Sequence, residues 1–150
     1  MIEGFHIIEE VKKDLKNIFF KDDDETFYHS MRVYHKTILY HGTSFQLLII
    51  ALLHDVIEDT KYTIDDLKLI YQDKFISICG IQFTDSIFRS LFAITRSDNE
   101  TYMEYINRCK VDENARIIKF LDVEENLFRC FESKNKSLAE RYMNALNILF

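Results

Sequence analysis

No proline and only three glycines punctuate 150 residues. An all-β domain needs a turn every eight to twelve residues or so, and turns draw on those two residue types. The apolar spacing points to helices instead. Ile2, Phe5, Ile8, Val11, Leu15, Ile18 and Phe19 recur every three or four positions, along one helix face. Phe27, Met31, Tyr34 and Ile38 repeat the rhythm from about Thr26 to Tyr40. The stretch Phe45–Val56 (FQLLIIALLHDV) is almost continuously apolar, and its Leu and Ala content and length suit a buried helix. Capping boxes are expected where Thr63 precedes Asp66 and where Ser137 precedes Glu140. His41-Gly42 and Cys79-Gly80 are the expected helix ends, because Gly adopts the left-handed cap cheaply. With the segments 84–94, 100–109, 113–131 and 138–149, the reading is an all-α bundle of roughly eight helices. The acidic run Asp22-Asp23-Asp24-Glu25 reads as a solvated loop.

A length of 150 residues fits one domain over 1–150, and 13 Phe with 8 Tyr can fill one core. Nothing approaches the ~18 consecutive apolar residues of a membrane span. The charged N-terminal stretch MIEGFHIIEEVKKDLK does not read as a signal peptide. Cys79, Cys109 and Cys130 are an odd set without CxxC spacing, so we expect reduced thiols in a cytoplasmic protein. A net charge of −6 without a basic block argues against nucleic-acid binding.

The informative residues are polar groups stranded among apolar ones. In ALLHDVIEDT, His54 and Asp55 follow the apolar run 47–53, and Glu58 and Asp59 follow Val56-Ile57. If the helix continues, His54/Glu58 and Asp55/Asp59 are i,i+4 pairs on one arc. Burying such groups without partners costs ~1–3 kcal/mol each, and a divalent cation would satisfy imidazole and carboxylate together. In ARIIKFLDVEENL, Lys119, Asp122 and Asn126 sit at i, i+3 and i+7, within about 60° on an ideal helix. Glu124 and Glu125 are better placed for solvent. His29 in FYHSMRV stands on a third amphipathic segment. Alone, each has an ordinary reading: a half-buried histidine, a common dipeptide, an intrahelical ion pair. Jointly they supply two imidazoles and two carboxylates, a set suited to Mn²⁺, Fe²⁺ or Zn²⁺.

The pattern His29…His54-Asp55…Asp122 resembles the H…HD…D signature of HD-domain metal-dependent phosphohydrolases. The strings LLHDVIEDT and IIKFLDVEEN look like the hydrolase domain of RelA/SpoT-type alarmone enzymes. There an ED pair follows the HD, and the distal Asp has Lys three before it and Asn four after. ITRSDNETYMEYINRC and RYMNALNIL are similar to small stand-alone members, so the likeness runs from His29 to Leu149. It implies an HD-type helical fold, with His29, His54, Asp55 and Asp122 as ligands of a divalent metal, Mn²⁺ first. It further implies Glu58 and Asp59 as the pair that activates or orients water. Lys119 and Asn126 match positions near substrate and ligand shell, and Arg32 and Arg96 are candidate phosphate contacts. The implied activity is hydrolysis of a nucleotide phosphate or pyrophosphate ester. (p)ppGpp 3′-pyrophosphohydrolase comes first and a nucleotidase on simpler nucleotides second, with a non-catalytic scaffold binding metal and nucleotide as the rival. One departure bears on substrate. KDDDETFYHS, just before His29, is acidic and lacks glycine, and Ser30 stands where Pro is usual. Acidic residues at a binding rim repel a highly charged nucleotide.

Overall fold

The nine residues Phe45–Leu53 form helix α3, and every one from Leu47 onward is buried. A helix apolar on all sides needs neighbours on all sides, and α3 has them. Helices α1 (Ile2–Asp14), α2 (Asp24–His41), α5 (Ile64–Ile94) and α7 (Glu113–Ser133) pack around it. The computed structural model describes residues 2–150, in which α4 (Val56–Asp59), α6 (Tyr102–Val111) and α8 (Lys136–Leu149) complete the chain. Among the described residues there is no strand. The fold is all-α, with seven helices longer than one turn rather than eight. A π-helical turn, Leu15–Phe19, ends α1, and α4 is a single turn.

The count falls because Gly80 bends a helix without ending it. At φ 83° and ψ 170° it breaks the hydrogen-bond ladder, and the helix resumes at once, so Ile64–Ile94 is one kinked element. Gly42 (φ 78°) does close α2, its N–H donating to the Ile38 carbonyl. The Thr63–Asp66 capping box is present, and a second joins Thr101 to Glu104. Ser137 caps nothing. Asn135 receives the Leu138 N–H at 3.1 Å and starts α8 two residues earlier, which places Ser137 inside the helix. Nor is the acidic run a plain loop. Asp23 is the N-cap of α2, accepting from Thr26 N–H at 3.0 Å, with Asp24 and Glu25 in the first turn. Carboxylates there complement the positive end of the helix dipole.

Two apolar clusters result. The larger surrounds α3; the smaller joins Tyr105, Ile106 and Cys109 of α6 to Val123 of α7 and to Ala145 and Leu149 of α8. Helix α7 serves both, through Ile118 and Leu121 on one side and Val123 on the other. Lys119 and Asp122 therefore stand where the clusters meet. Among the described residues no helix is long and apolar enough to cross a membrane.

Candidate metal centre

Three separate elements deliver four ligand-type side chains to one place. His29 comes from the middle of α2, His54 and Asp55 from the two residues between α3 and α4, and Asp122 from α7. Each offers an atom within 4.8 Å of the others'. His29 Nε2 lies 2.8 Å from Asp122 Oδ1 and 3.7 Å from Asp55 Oδ2. His54 Nε2 lies 3.1 Å from Asp55 Oδ2 and 3.6 Å from Asp122 Oδ1. His29, His54 and Asp122 are buried, and Asp55 is half-buried.

The backbone sets the imidazole of His54. Its Nδ1 donates to the Ala51 carbonyl at 2.7 Å, which leaves Nε2 as the nitrogen aimed at the carboxylates. That Nε2 is buried without a hydrogen-bond partner, as is His29 Nδ1. A lone pair facing two anionic oxygens requires a positive charge between them. Burial opposes protonation of His54, yet the Asp55 charge and the contacts to Asp122 and Asp55 hold its pKa well above the ordinary histidine range. A bound cation would serve the same electrostatic need as that proton. Two imidazole nitrogens and two carboxylates, converging with an orphaned buried nitrogen, fit a divalent transition ion.

Asp122 is the most heavily used of the four. Lys119 Nζ reaches its Oδ2 at 2.6 Å, and Asn126 Nδ2 donates to its Oδ1 at 3.1 Å. Burial pushes its carboxyl pKa up, but the Lys119 charge and the two histidines overcome this and keep it well below the usual range. The pairing also holds Lys119 well above the usual lysine range against its own burial. The Tyr105 ring, 5.0 Å from Lys119 Nζ, braces the ammonium. Thus the i, i+3, i+7 stripe on α7 is an intrahelical ion pair and also part of the cluster.

The cluster opens into a polar cavity of about 330 Å³. Glu58, Asp59, Arg96, Lys119 and Asn126 line it together with His29, Asp55 and Asp122. Helix α3 does not run on through these acids. It stops at Leu53, and Glu58 and Asp59 ride the separate turn α4 on the exposed rim. Glu58 accepts the Arg96 backbone N–H at 2.5 Å; partial desolvation still raises its pKa. Asp59 is pushed up to about 6, by desolvation first and then by the charges of Asp55 and Glu58.

Arg32 lies elsewhere. Its Nε donates to Glu125, which also meets Lys36 at 3.2 Å, and Arg32 does not line the cavity. These two cations are why Glu125 is buried rather than solvated. Sequence reasoning also left out several residues that line the cavity: Glu25, Tyr102, Tyr105, Arg129, Arg141 and Tyr142. Tyr102 and Tyr105 share a helix face at i,i+3, a spacing indistinguishable from an ordinary core stripe. Cys79, Cys109 and Cys130 are unpaired, and none belongs to the cluster.

Set against known protein families and against curated proteins, the chain matches none.

Proposed function

We propose that this chain is a divalent-metal-dependent phosphohydrolase acting on a nucleotide phosphate or pyrophosphate ester. The observation that carries the reading is the convergence of His29, His54, Asp55 and Asp122 within 4.8 Å of one another, beneath a cavity with rim carboxylates. The resemblance of these positions and of Lys119, Asn126, Glu58 and Asp59 to HD-type phosphohydrolases points the same way. Mn²⁺ is our first choice of ion, with Fe²⁺ and Zn²⁺ compatible with the same ligands.

His29, His54, Asp55 and Asp122 would hold the ion, which when bound supplies Lewis acidity toward a phosphoryl oxygen and acidifies water. Glu58 and Asp59, one turn along from the ligand pair, sit where a carboxylate can take a proton from the attacking water. Desolvation first raises both carboxyls, Asp59 to about 6, which makes each a better proton acceptor than an ordinary carboxylate. Lys119, fixed by Asp122 and Tyr105, offsets charge growing on phosphoryl oxygens. Asn126 holds the Asp122 carboxylate in place.

Within this class we put (p)ppGpp 3′-pyrophosphohydrolase first. One observation favours the second reading, a nucleotidase on simpler nucleotides. Glu25 lines the cavity and is ion-paired to Arg129, so one cation at the mouth is already neutralised. The test is a turnover panel of ppGpp, nucleoside monophosphates and a generic phosphodiester, with Mn²⁺ added and metal content measured. Pyrophosphate release from ppGpp supports the first reading, and orthophosphate from monophosphates supports the second. A metal-loaded protein inert toward all three is a scaffold, and the proposal fails.

A further inference from the structure

The basic side chains of the cavity are not equivalent. Lys119 is committed to Asp122, and Arg129 to Glu25. Arg96 and Arg141 have no carboxylate partner among the described residues. Of the two acids that follow Arg96, Asp98 makes no ion pair with it and Glu100 is bound by Arg108 at 2.6 Å. The Arg96 guanidinium makes one hydrogen bond, from Nη2 to the Glu100 carbonyl at 3.3 Å, and both guanidiniums stand against one aromatic ring. Arg141 of α8 lies 4.3 Å from the Tyr102 centroid, and Arg96 of the loop before α6 lies 5.7 Å from it. Two cations drawn to one ring repel each other unless something anionic lies between them. The Tyr102 hydroxyl is itself buried without a hydrogen-bond partner. Desolvation first raises its pKa, to about 12, so it remains a donor. Two guanidiniums and a hydroxyl thus meet at the cavity, and none of the three has a carboxylate partner among the described residues.

We propose that Arg96, Arg141 and the Tyr102 hydroxyl form an anion clamp that takes a phosphate group. A guanidinium offers a planar fork matched to two phosphate oxygens, and two forks with a hydroxyl suit a tetrahedral oxyanion better than a flat carboxylate. Of the cavity's acids, Glu58 and Asp59 ride α4, Glu25 comes from α2 and Asp55 and Asp122 belong to the cluster, whereas Arg141 comes from α8 and Arg96 from the loop before α6. On the phosphohydrolase reading, on which this last step rests, Arg141 is a substrate-binding residue. It fixes an anionic group of the substrate, so its loss raises KM more than it lowers kcat.

Calorimetric titration of inorganic phosphate into the full chain, with EDTA present, tests the clamp apart from any metal. We expect saturable binding, weakened about tenfold or more in Arg141→Gln, as for a lost charge-assisted hydrogen bond. Arg141→Lys should fall between, because it keeps the charge and loses the fork. Arg96→Gln repeats the test from a different element, so a folding defect in one variant does not decide the matter. Arg89→Gln, at an exposed arginine outside the cavity lining, should bind phosphate as well as the unaltered chain does. No phosphate binding, or binding unchanged in both clamp variants, overturns the clamp. So does an equal loss in Arg89→Gln, which would make the effect one of net charge alone. Those results leave the phosphohydrolase reading standing, since turnover and metal content judge it. A chain that binds phosphate through Arg141 yet takes up no metal would sink that reading and keep the clamp.

Discussion

His29 Nε2 and Asp122 Oδ1 lie 2.8 Å apart although 93 positions separate them in the chain. The contact ties α2 to α7 across the end of α3, and both partners are buried. With Lys119 on the other oxygen of Asp122, the cluster is a structural joint as well as a candidate metal centre.

Asp122→Asn should therefore destabilise the metal-free protein. Asparagine keeps the shape but leaves the Lys119 ammonium buried beside no counter-charge. Breaking one side of such a pair typically costs about 3–5 kcal/mol. Urea unfolding at pH 7 in EDTA measures it. In a double-mutant cycle with Lys119→Met the two losses should fall well short of additive, because the partners share one interaction.

Glu58→Gln should leave fold and metal content intact while turnover drops about 10²–10⁴-fold, the usual range for a general acid-base group. Glutamine keeps the acceptor for the Arg96 N–H but cannot take a proton. Asp55→Asn should lower metal occupancy and turnover together. Metal analysis beside kcat distinguishes the two. A Glu58→Gln protein within threefold of the unaltered rate would remove Glu58 from the mechanism.

The pKa of Asp59, about 6 against an ordinary 3.8, makes a pH prediction of definite sign. Between those values the folded chain binds more protons than the unfolded one, so stability falls as pH rises through that window. Asp59→Asn removes the penalty. The variant should match the unaltered protein near pH 4 and melt at higher temperature above pH 6. A cation at Asp55 cancels part of the charge that raises this pKa, so adding Mn²⁺ should narrow the gap. Melting curves from pH 4 to 8, with EDTA and with Mn²⁺, test both statements.

Glu25→Gln should release Arg129 from its ion pair at the cavity mouth. Removing one carboxylate and freeing one guanidinium favours ligands of higher negative charge. Competition binding should show affinity for ATP rising more than affinity for AMP. Equal gains for both would mean that Glu25 does not discriminate by charge.

Lys134, which ends α7, has φ 58° and ψ 30°, the left-handed region that costs a non-glycine residue roughly 1–2 kcal/mol. It is exposed, and its N–H closes the helix onto Phe131 O at 3.3 Å, a bond any residue can make. Lys134→Gly should stabilise the chain by about 0.5–1 kcal/mol, less than the full relief because glycine adds freedom to the unfolded state. Urea midpoints decide it.

The helices were legible because helix formation is written locally. The Thr63 cap and Gly42 each act within a few residues of chain and are found where their spacing puts them; of the apolar series that opens the chain, Ile8, Val11, Leu15 and Phe19 are buried while Ile2, Phe5 and Ile18 are exposed. Local signals failed where two of them competed. Asn135 outcompeted Ser137 as the cap of α8, and Gly80 kinked a helix that its neighbours carried on. The same locality explains why Glu58 and Asp59 were expected on the arc of His54 and Asp55: nothing short-range says that α3 stops at Leu53.

By itself the sequence determined an all-α chain and a set of polar residues too costly to bury without partners. Apolar periodicity and desolvation are properties of the residues themselves. Only the tertiary structure decided which of those residues meet. It joined His29, His54, Asp55 and Asp122 at one point, and it turned Arg32 away to Glu125. It also set Glu25 on Arg129 and brought Arg141 from the last helix onto the Tyr102 ring. Those pairings depend on how helices far apart in sequence pack around α3, and packing follows from the summed shape of their buried faces rather than from any short run of residues.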